Sequence, residues 1–213
     1  MKTKAKKMAI FVALFISEFT FAQEIVKDDR EKFSLGAKAG INFSNVYDEE
    51  NQDFVAEGKT GFAIGGFLSI PLGKYFGIQP ELMYSEKGFK STESNVLYSY
   101  KYTRTTSFVD LPLLLQIKPV PSITFVGGPQ FSYLLKTKNN FNGNITTTQE
   151  EAINKENYKK NILGFVVGAD FNIDHFLISG RAGWDISSSD ANGNSTTPRY
   201  KNQVIQLALG YRF

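Results

Sequence analysis

The sequence ends in the ten residues Val204-Ile205-Gln206-Leu207-Ala208-Leu209-Gly210-Tyr211-Arg212-Phe213. Counted back from the terminal aromatic residue, every second residue is large and apolar, and the residues between them are small or polar except Val204. A period of two places these sets on opposite faces of a β-strand. One face therefore suits hydrocarbon and the other suits water. The large apolar set is Ile205, Leu207, Leu209, Tyr211 and Phe213.

The same alternation recurs in seven segments upstream, which gives eight predicted strands. The approximate bounds of these segments are 32–44, 60–70, 75–87, 106–118, 123–135, 161–172 and 176–187. The segment 123–135 is the least regular, because Gly127, Gly128 and Pro129 interrupt it. Since proline removes a donor from the ladder, we expect bulges or local breaks at Pro80, Pro112 and Pro129.

The links between these segments alternate in length. The short turns lie at 71–74, 119–122 and 173–175, and the long polar links lie at roughly 45–59, 88–105, 136–160 and 188–200. Short turns at one end and long loops at the other are typical of membrane β-barrels, whose short turns face the periplasm. Strands of about 11 residues, tilted by about 45°, cover an apolar belt of ~25 Å. The sequence therefore predicts an all-β fold, an eight-stranded antiparallel up-and-down transmembrane β-barrel.

A soluble eight-stranded barrel with its apolar face inward would show the same alternation, so alternation alone leaves two folds open. Aromatic residues on the apolar face gather at both ends of the strands, as expected for two membrane–water interfaces. The turn-end ring comprises Phe33, Phe76, Phe171, Phe176, Tyr211 and Phe213. The loop-end ring comprises Phe43, Phe62, Tyr84, Phe165 and Trp184. These rings favour the membrane barrel.

The N-terminus predicts export. Four lysines among the first seven residues precede an apolar run at 8–16, and Thr20-Phe21-Ala22 offers a small-residue cleavage site before Gln23. This pattern is typical of a secretory signal peptide, and the run is shorter than the about 20 residues that a membrane helix needs. We expect a signal peptide at 1–22, a short periplasmic segment at 23–31 and a barrel domain at 32–213.

Charge and cysteine content exclude several function classes. The chain has 24 Lys and Arg against 21 Asp and Glu, and the expected signal peptide carries four lysines and one glutamate. The mature chain is therefore close to neutral, and nothing indicates the basic face that nucleic acid binding requires. The chain has no cysteine, which excludes disulfides, thiol catalysis and thiolate metal sites.

Four motifs stand within the predicted strands: GAKAGINFS at 36–44, QPELMYSEKG at 79–88, DLPLL at 110–114 and GGP at 127–129. Together with the signal-peptide end Phe21-Ala22-Gln23, they resemble an outer-membrane β-barrel family common in Bacteroidetes, called PorT-like or porin family proteins. The resemblance covers about residues 33–213. It implies an outer-membrane location, contact with lipids and lipopolysaccharide, and a C-terminal strand that signals to the barrel assembly machinery. It implies no single activity, although the member that names the family assists protein secretion.

Charged residues also fall on the predicted inner face: Lys38, Glu81, Asp110, Lys118, Asp170, Arg181, Asp185 and Arg212. Eight strands leave an interior just wide enough for side chains, so each charge there needs a partner. One interpretation is a plug of salt bridges, and the other is a gated ion path or a proton-sensing site. Glu81 and Arg181 stand at similar heights above the short turns, which makes them the leading candidate pair.

No catalytic, metal or cofactor site is predicted. The single histidine, His175, lies in a turn beside Asp174, where a solvated residue is expected rather than a catalyst. An acidic group in the first long link suits calcium chemically, but a solvated loop is the simpler interpretation. This group is Asp48, Glu49, Glu50, Asp53 and Glu57. The alternating Tyr98, Tyr100 and Tyr102 predict a hairpin above the membrane, and exposed tyrosines also suit ligand contact.

The sequence therefore favours an outer-membrane barrel with a lumen plugged by side chains, in a structural or surface-interaction role. A narrow pore for ions or small solutes is the first alternative. An accessory factor in protein secretion is the second, and it rests on the family resemblance alone.

Cysteines introduced at Asn51, Asn142 or Gly193 are expected to react with a membrane-impermeant thiol reagent on intact cells, because the long links should face outward. A cysteine at Asp174 is expected to stay unlabelled until the outer membrane is opened. Since the natural chain has no cysteine, the unmodified protein provides the blank. Equal labelling at Asp174 and Asn142 on intact cells would reverse the orientation.

Overall fold

The computed structural model describes residues 28–50, 56–94, 99–142, 147–151, 161–187 and 199–213. The expected signal peptide at 1–22 lies outside these ranges. The strands are β1 (Ser34–Glu50), β2 (Ala56–Pro71), β3 (Phe76–Ser94), β4 (Ser99–Val120), β5 (Ile123–Asn142), β6 (Thr147–Glu151), β7 (Asn161–Ile173), β8 (Phe176–Asp185) and β9 (Arg199–Arg212). Among the described residues, no helix is long and apolar enough to cross a membrane.

Eight of these strands close into one antiparallel barrel. Strands β1 to β5 pair in sequence order, β5 then pairs with β7, and β8 and β9 follow. The first and last strands complete the ring, from the pair Gly36–Arg212 to the pair Ser44–Val204 and beyond. The predicted eight-stranded antiparallel barrel is therefore confirmed.

Several strands run further toward the loop end than predicted. Strand β1 continues to Glu50 and β2 begins at Ala56, and β3 and β4 reach to Ser94 and Ser99. The alternation ends where the outward face leaves hydrocarbon, whereas the backbone ladder continues in water. The β3–β4 link is thus the expected hairpin. It carries Tyr98, Tyr100 and Tyr102, whose side chains lie outside the described residues.

Strand β6 is an addition that the alternation does not predict. It pairs with the loop end of β5, starting from the pair Thr137–Glu151, whereas β7 joins the same side of β5 from the pair Tyr133–Asn161. Strand β6 therefore lies on the same side of β5 as β7, nearer the loop end. Its sequence, TTQEE, contains no apolar residue and so gives no alternating signal.

The two faces of the barrel wall have opposite chemistry. Leu209 and Phe213 point outward and are 68% and 73% exposed, whereas the inward Lys38 is 3% exposed. A soluble barrel would bury its apolar face, so a belt of exposed Leu, Ile and Phe needs hydrocarbon around it. Both predicted aromatic rings lie on this outer wall, with Phe171 and Tyr84 half-buried. The membrane barrel is therefore the correct choice between the two folds.

The prolines interrupt the ladders without shifting their register. The β2–β3 ladder lacks two pairs at Pro80, and the β3–β4 and β4–β5 ladders each lack two pairs beside Pro112 and Pro129. The pairs on either side keep the same register, because a proline removes a donor but adds no residue. The proline sites therefore show local breaks rather than bulges. A bulge lies nearer the loop end, between Ser107 and Phe108.

The closing strand ends in a cluster of aromatic rings. The Tyr211 ring meets the rings of Phe176 and Phe213 edge-on, with centroids 5.2 and 5.4 Å apart. The Phe213 N–H donates to the Leu35 carbonyl oxygen at 2.9 Å. The last three residues thus join β9 to both β8 and β1.

Deleting Tyr211–Phe213 is expected to prevent insertion into the outer membrane, because β9 then loses contacts to both neighbours and the exposed terminal aromatic residues. The measurement is heat-modifiable migration of outer-membrane fractions on a denaturing gel. Phe213→Tyr, which keeps an aromatic terminus and the ladder, serves as the control. A deletion variant that still shifts on heating would contradict this role.

Candidate functional site in the barrel interior

Seven of the eight charged residues predicted inside the barrel are buried, each 3–6% exposed. They are Lys38, Glu81, Asp110, Lys118, Asp170, Arg181 and Asp185. The eighth, Arg212, lies at the turn end of β9 and is half-buried. These side chains occupy successive levels between the short turns and the loop end.

Four of these residues form a neutral cluster, here called the central quartet: Lys38, Glu81, Asp170 and Arg181. The Lys38 ammonium donates to both Glu81 carboxylate oxygens at 2.7 Å. The Arg181 guanidinium binds both carboxylate oxygens of Asp170, at 2.7 and 2.9 Å. The two positive and two negative charges cancel, and each charge has a partner at contact distance, which lowers the cost of burying it.

The predicted pair Glu81–Arg181 is the weakest of the contacts within the quartet. Arg181 Nη2 lies 3.7 Å from Glu81 Oε1, whereas Lys38 Nζ lies 2.7 Å from the same carboxylate. The position of a residue along its strand predicts which inward residues lie at the same level of the barrel. Which of these residues form ion pairs depends on the length and direction of their side chains. Glu81 is therefore first the partner of Lys38, and it links that pair to Arg181 and Asp170.

Glycines on the neighbouring strands make room for the quartet. Gly65 of β2 stands between Lys38 of β1 and Met83 of β3 in the ladders, so no side chain of β2 blocks that level. Gly168 faces Arg181 across the β7–β8 ladder, and a Cβ there would lie 2.7 Å from Arg181 Cδ. A larger residue at either position would collide with its neighbours.

A chain of hydrogen bonds leads from the quartet toward the turn end. Gln79 Nε2 donates to Glu81 Oε1 at 2.7 Å, and Gln116 Nε2 donates to Gln79 Oε1. The Ser69 hydroxyl donates to Gln116 Oε1 at 2.9 Å, and Lys118 Nζ donates to Ser69 Oγ at 3.4 Å. The side chains of this chain of residues are thus bonded to one another from Glu81 to Lys118.

Two carboxylates hold a second set of contacts on the loop side of the quartet. Asp110 accepts hydrogen bonds from the Ser85 hydroxyl at 2.5 Å and from Lys87 Nζ at 3.1 Å. Asp185 accepts from the backbone N–H and the side-chain amide of Asn202, at 3.1 and 2.6 Å. The carboxylates of Asp110 and Asp185 therefore each accept hydrogen bonds from at least two donor groups.

Sequence reasoning missed three buried cations, Lys59, Lys87 and Arg104. Lys87 is two residues after Ser85, so it falls on the inward face of β3. The alternation could therefore have identified it. Lys59 and Arg104 lie in strand extensions that the sequence presents as polar links. Parity fails there because the outward residues are also polar.

Apolar side chains fill further parts of the interior. One cluster comprises Phe108, Leu134 and Ile162, and the other comprises Leu114, Val126 and Val166. The Lys87 ammonium lies 4.7 Å from the centroid of the Phe108 ring, which is cation–π geometry. These side chains keep water away from the adjacent charges and so strengthen the ion pairs.

The described part of the barrel interior contains a small cavity and a large one. The smaller, of about 40 Å³, is bordered by Glu81, Arg181 and Val204, the residue that breaks the alternation of the terminal stretch. The larger, here called the turn-end cavity, has a volume of about 570 Å³ and is bordered by Lys118 and Arg212. The first holds a few water molecules at most, and the second has the size of a small-molecule pocket.

The N-terminal segment 28–33 crosses the turn end. The Arg30 guanidinium donates to the carbonyl oxygens of Lys118 and Pro119 at 3.3 and 3.1 Å, and Lys118 Nζ donates to the Arg30 carbonyl at 3.1 Å. Hydrogen bonds from Arg30 hold the pKa of the Asp28 carboxyl well below its usual range. The segment is therefore fastened to the barrel mainly by Arg30, and the ion pair of Asp28 with Lys74 at 3.5 Å adds a second contact.

The remaining candidates from the sequence form no further site among the described residues. His175 Nδ1 lies 2.7 Å from Asp174 Oδ2, and its ring stacks on Tyr211 with centroids 5.7 Å apart. Most of the acidic group at 48–57 has side chains outside the described residues, and Glu57 is exposed. No group of three or more potential metal ligands comes together in the described ranges.

A closed antiparallel barrel with an apolar outer belt and a charged interior is the architecture of outer-membrane β-barrel proteins. The family described as "Outer membrane protein beta-barrel domain" matches residues 21–211. The chain belongs to this family, and its location is the outer membrane. A comparison with curated protein sequences found no match.

Solved structures similar to this chain include three bacterial outer-membrane proteins. Ail of Yersinia pestis, crystallised with the heparin analogue sucrose octasulfate, is 16% identical with a TM-score of 0.47, and the match covers 85% of this chain and 99% of that one. The protease OmpT of Escherichia coli is 10% identical with a TM-score of 0.44, covering 85% and 95%. OprG of Pseudomonas aeruginosa is 13% identical with a TM-score of 0.41, covering 86% and 97%. Similarities at this level carry no argument about function.

Glu81→Gln is expected to lower the free energy of unfolding by about 3–5 kcal/mol, because it leaves Lys38 buried without its counter-ion. Lys38→Met is expected to cost a similar amount, and the double variant less than the sum of the two. A cycle of Glu81→Gln with Arg181→Met is expected to show weaker coupling, since that contact is 1 Å longer. Urea titration of the refolded protein in lipid measures the free energy of unfolding of each single and double variant.

Ser179→Ala is the matched control for these cycles. Ser179 is buried on the inner face, and its hydroxyl has no hydrogen-bond partner among the described residues. Its removal is expected to change stability by no more than about 0.5 kcal/mol. Additive effects of Lys38→Met and Glu81→Gln would show that the two charges do not stabilise each other.

Proposed function

We propose that this outer-membrane barrel has a lumen filled by side chains and serves in a structural or surface-interaction role. The observation that carries the proposal is the central quartet, whose four buried charges bind one another instead of facing an open path. An ion-conducting lumen needs charged groups that remain accessible to water and exchange partners with the passing ion. The 2.7 Å contacts of Glu81 and Asp170 leave little room for such an exchange.

The strand extensions supply a surface for interaction. Strands β2 to β5 have 16 to 22 residues, whereas a membrane strand needs about 9–11. A large part of these four strands therefore stands beyond the apolar belt at the loop end. Under the predicted orientation, this part faces the exterior, where lipopolysaccharide and extracellular partners are available.

The Bacteroidetes PorT-like group is the proposed branch of the family. Its motifs correspond to residues that build the interior, since Lys38 lies in the motif 36–44, Glu81 and Lys87 in the motif 79–88, and Asp110 in the motif 110–114. The proposal includes export by the signal peptide at 1–22 and insertion by the barrel assembly machinery. The role is proposed as non-enzymatic, and an accessory part in secretion stays an alternative within this branch.

A narrow pore is the second candidate, and one observation favours it. The turn-end cavity is bordered by Asp170, and the smaller cavity is bordered by Glu81 and Arg181. Members of the quartet thus border both cavities. Movement of the Arg181 side chain away from this level would connect them, so the same four residues that fill the lumen would act as its gate.

Planar bilayer recordings separate the two functions. The natural protein is expected to show no stepwise conductance, and the double variant Glu81→Ala with Arg181→Ala is expected to conduct because it removes two large side chains from the barrier. Ser179→Ala, a buried inner-face change outside the quartet, is expected to stay silent. Steady open channels in the natural protein would replace the filled-lumen proposal with the pore.

A further inference from the structure

The turn-end cavity combines the size of a ligand pocket with two cations that no carboxylate of the described chain contacts directly. Lys118 and Arg212 both border it. The carboxylates on its border have other partners: Asp29 lies 2.7 Å from Lys32, and Asp170 is bound to Arg181. Asp174, the other acid there, is bound to His175 in the exposed turn.

Neither cation has a carboxylate within 4 Å among the described residues. The Lys118 ammonium is buried, and within the described ranges its acceptors are two neutral oxygens, the Arg30 carbonyl and the Ser69 hydroxyl. Arg212 donates from Nη2 to the Asp174 carbonyl at 3.3 Å, and its Nε is buried without a hydrogen-bond partner in the described chain. Toward the middle of the barrel, by contrast, the buried ammonium groups of Lys38 and Lys87 are each held by a carboxylate. Lys59, nearer the loop end, donates to the Thr60 carbonyl and likewise has no carboxylate partner in the described chain.

The remaining walls of the cavity suit a small organic molecule. One side is apolar and is formed by Phe67, Leu177 and Ile173. The other presents the amides of Gln79 and Gln116, which are buried and polar. A pocket with apolar walls and a few convergent polar groups is the usual form of a small-molecule site, and a volume of about 570 Å³ falls in its range.

We propose that the turn-end cavity binds a small water-soluble anion through a carboxylate or phosphate group held by Lys118 and Arg212. The arginine fork matches the two oxygens of such a group, and the ammonium adds a point charge. The cavity lies within the ring of strands rather than on the lipid-facing wall, which selects a soluble anion over a lipid headgroup. The N-terminal segment lies over this site, because Lys118 holds the Arg30 carbonyl.

Inorganic phosphate and acetate are the probes, titrated into the refolded mature protein in a neutral detergent at constant ionic strength set with chloride. Binding is followed by calorimetry and by the side-chain Nε–Hε resonances of the arginines, with that of Arg212 assigned from Arg212→Lys. Phosphate or acetate is expected to shift the Arg212 resonance. Lys118→Met and Arg212→Gln are each expected to weaken binding by about tenfold or more, as for a lost charge-assisted hydrogen bond.

Lys74→Met is the matched control, because Lys74 is an exposed lysine at the same end of the barrel and does not border the cavity. It is expected to leave binding unchanged, and Lys118→Arg is expected to retain it. Heat-modifiable migration confirms that each variant is folded. A barrel that binds neither probe, or a Lys74→Met variant that loses as much affinity as Lys118→Met, would overturn the proposal.

Two further results would also overturn it. Binding that requires anionic lipid and is absent with inorganic phosphate would assign the cations to a lipid headgroup. Binding that appears only after Glu24→Gln would show that a carboxylate of the chain itself occupies the cavity. None of these outcomes depends on whether the lumen conducts ions. The anion-binding proposal and the proposal of a filled lumen are therefore tested independently.

Discussion

Every backbone N–H and C=O inside hydrocarbon must be bonded within the chain, because lipid offers no partner for them. A sheet meets that demand only by closing, and here closure depends on the ladder between β1 and β9. Closure also gives the wall an inside and an outside, and the surrounding lipid requires the apolar face to be the outer one. The apolar belt, the buried charges and the cavities all follow from that division.

The interior then has to satisfy a second demand within a small volume. Eight strands enclose space for side chains but little for water, so charges placed there need partners at contact distance. The quartet meets this demand with two tight pairs that share one loose contact, and glycines at 65 and 168 supply the space. Polar amides and hydroxyls extend the bonding toward the turns, and apolar clusters occupy the rest.

Alternation predicted the barrel well, because burial on only one face of each strand imposes a strict period of two. It located the core of each of the eight barrel strands and placed seven of the eight chosen charges in the buried interior. It failed beyond the belt, where the outward residues of β1 to β5 are mostly polar, as are many of the inward ones, and where β6 has no apolar residue at all. An alternating sequence arises only where one face of a strand meets lipid and the other meets a polar interior. Where both faces meet water, the residues no longer alternate.

The pairing inside the lumen was less predictable than the wall. Parity and height brought Glu81 and Arg181 to one level, but the closer partner of Glu81 is Lys38, which reaches it past Gly65. Side-chain length and the absence of a side chain on the strand between them decide that outcome. Alternation placed Lys118 and Arg212 on the inner face, but it did not predict the cavity that they share. That cavity depends on the position of the segment around Arg30, which has no alternating pattern.

The ladder that joins β1 to β9 also affects the rate of folding. It connects Gly36 with Arg212, residues far apart in the sequence, so no part of it can form until the last strand is available. Pairings of such long range form slowly, because the entropy of closing the chain is lost before the contacts are gained. Until then, β1 keeps an unpaired edge that can recruit strands of other molecules. The yield of this protein therefore depends on how well the incomplete barrel is shielded during transit, and only afterwards on the stability of the finished one.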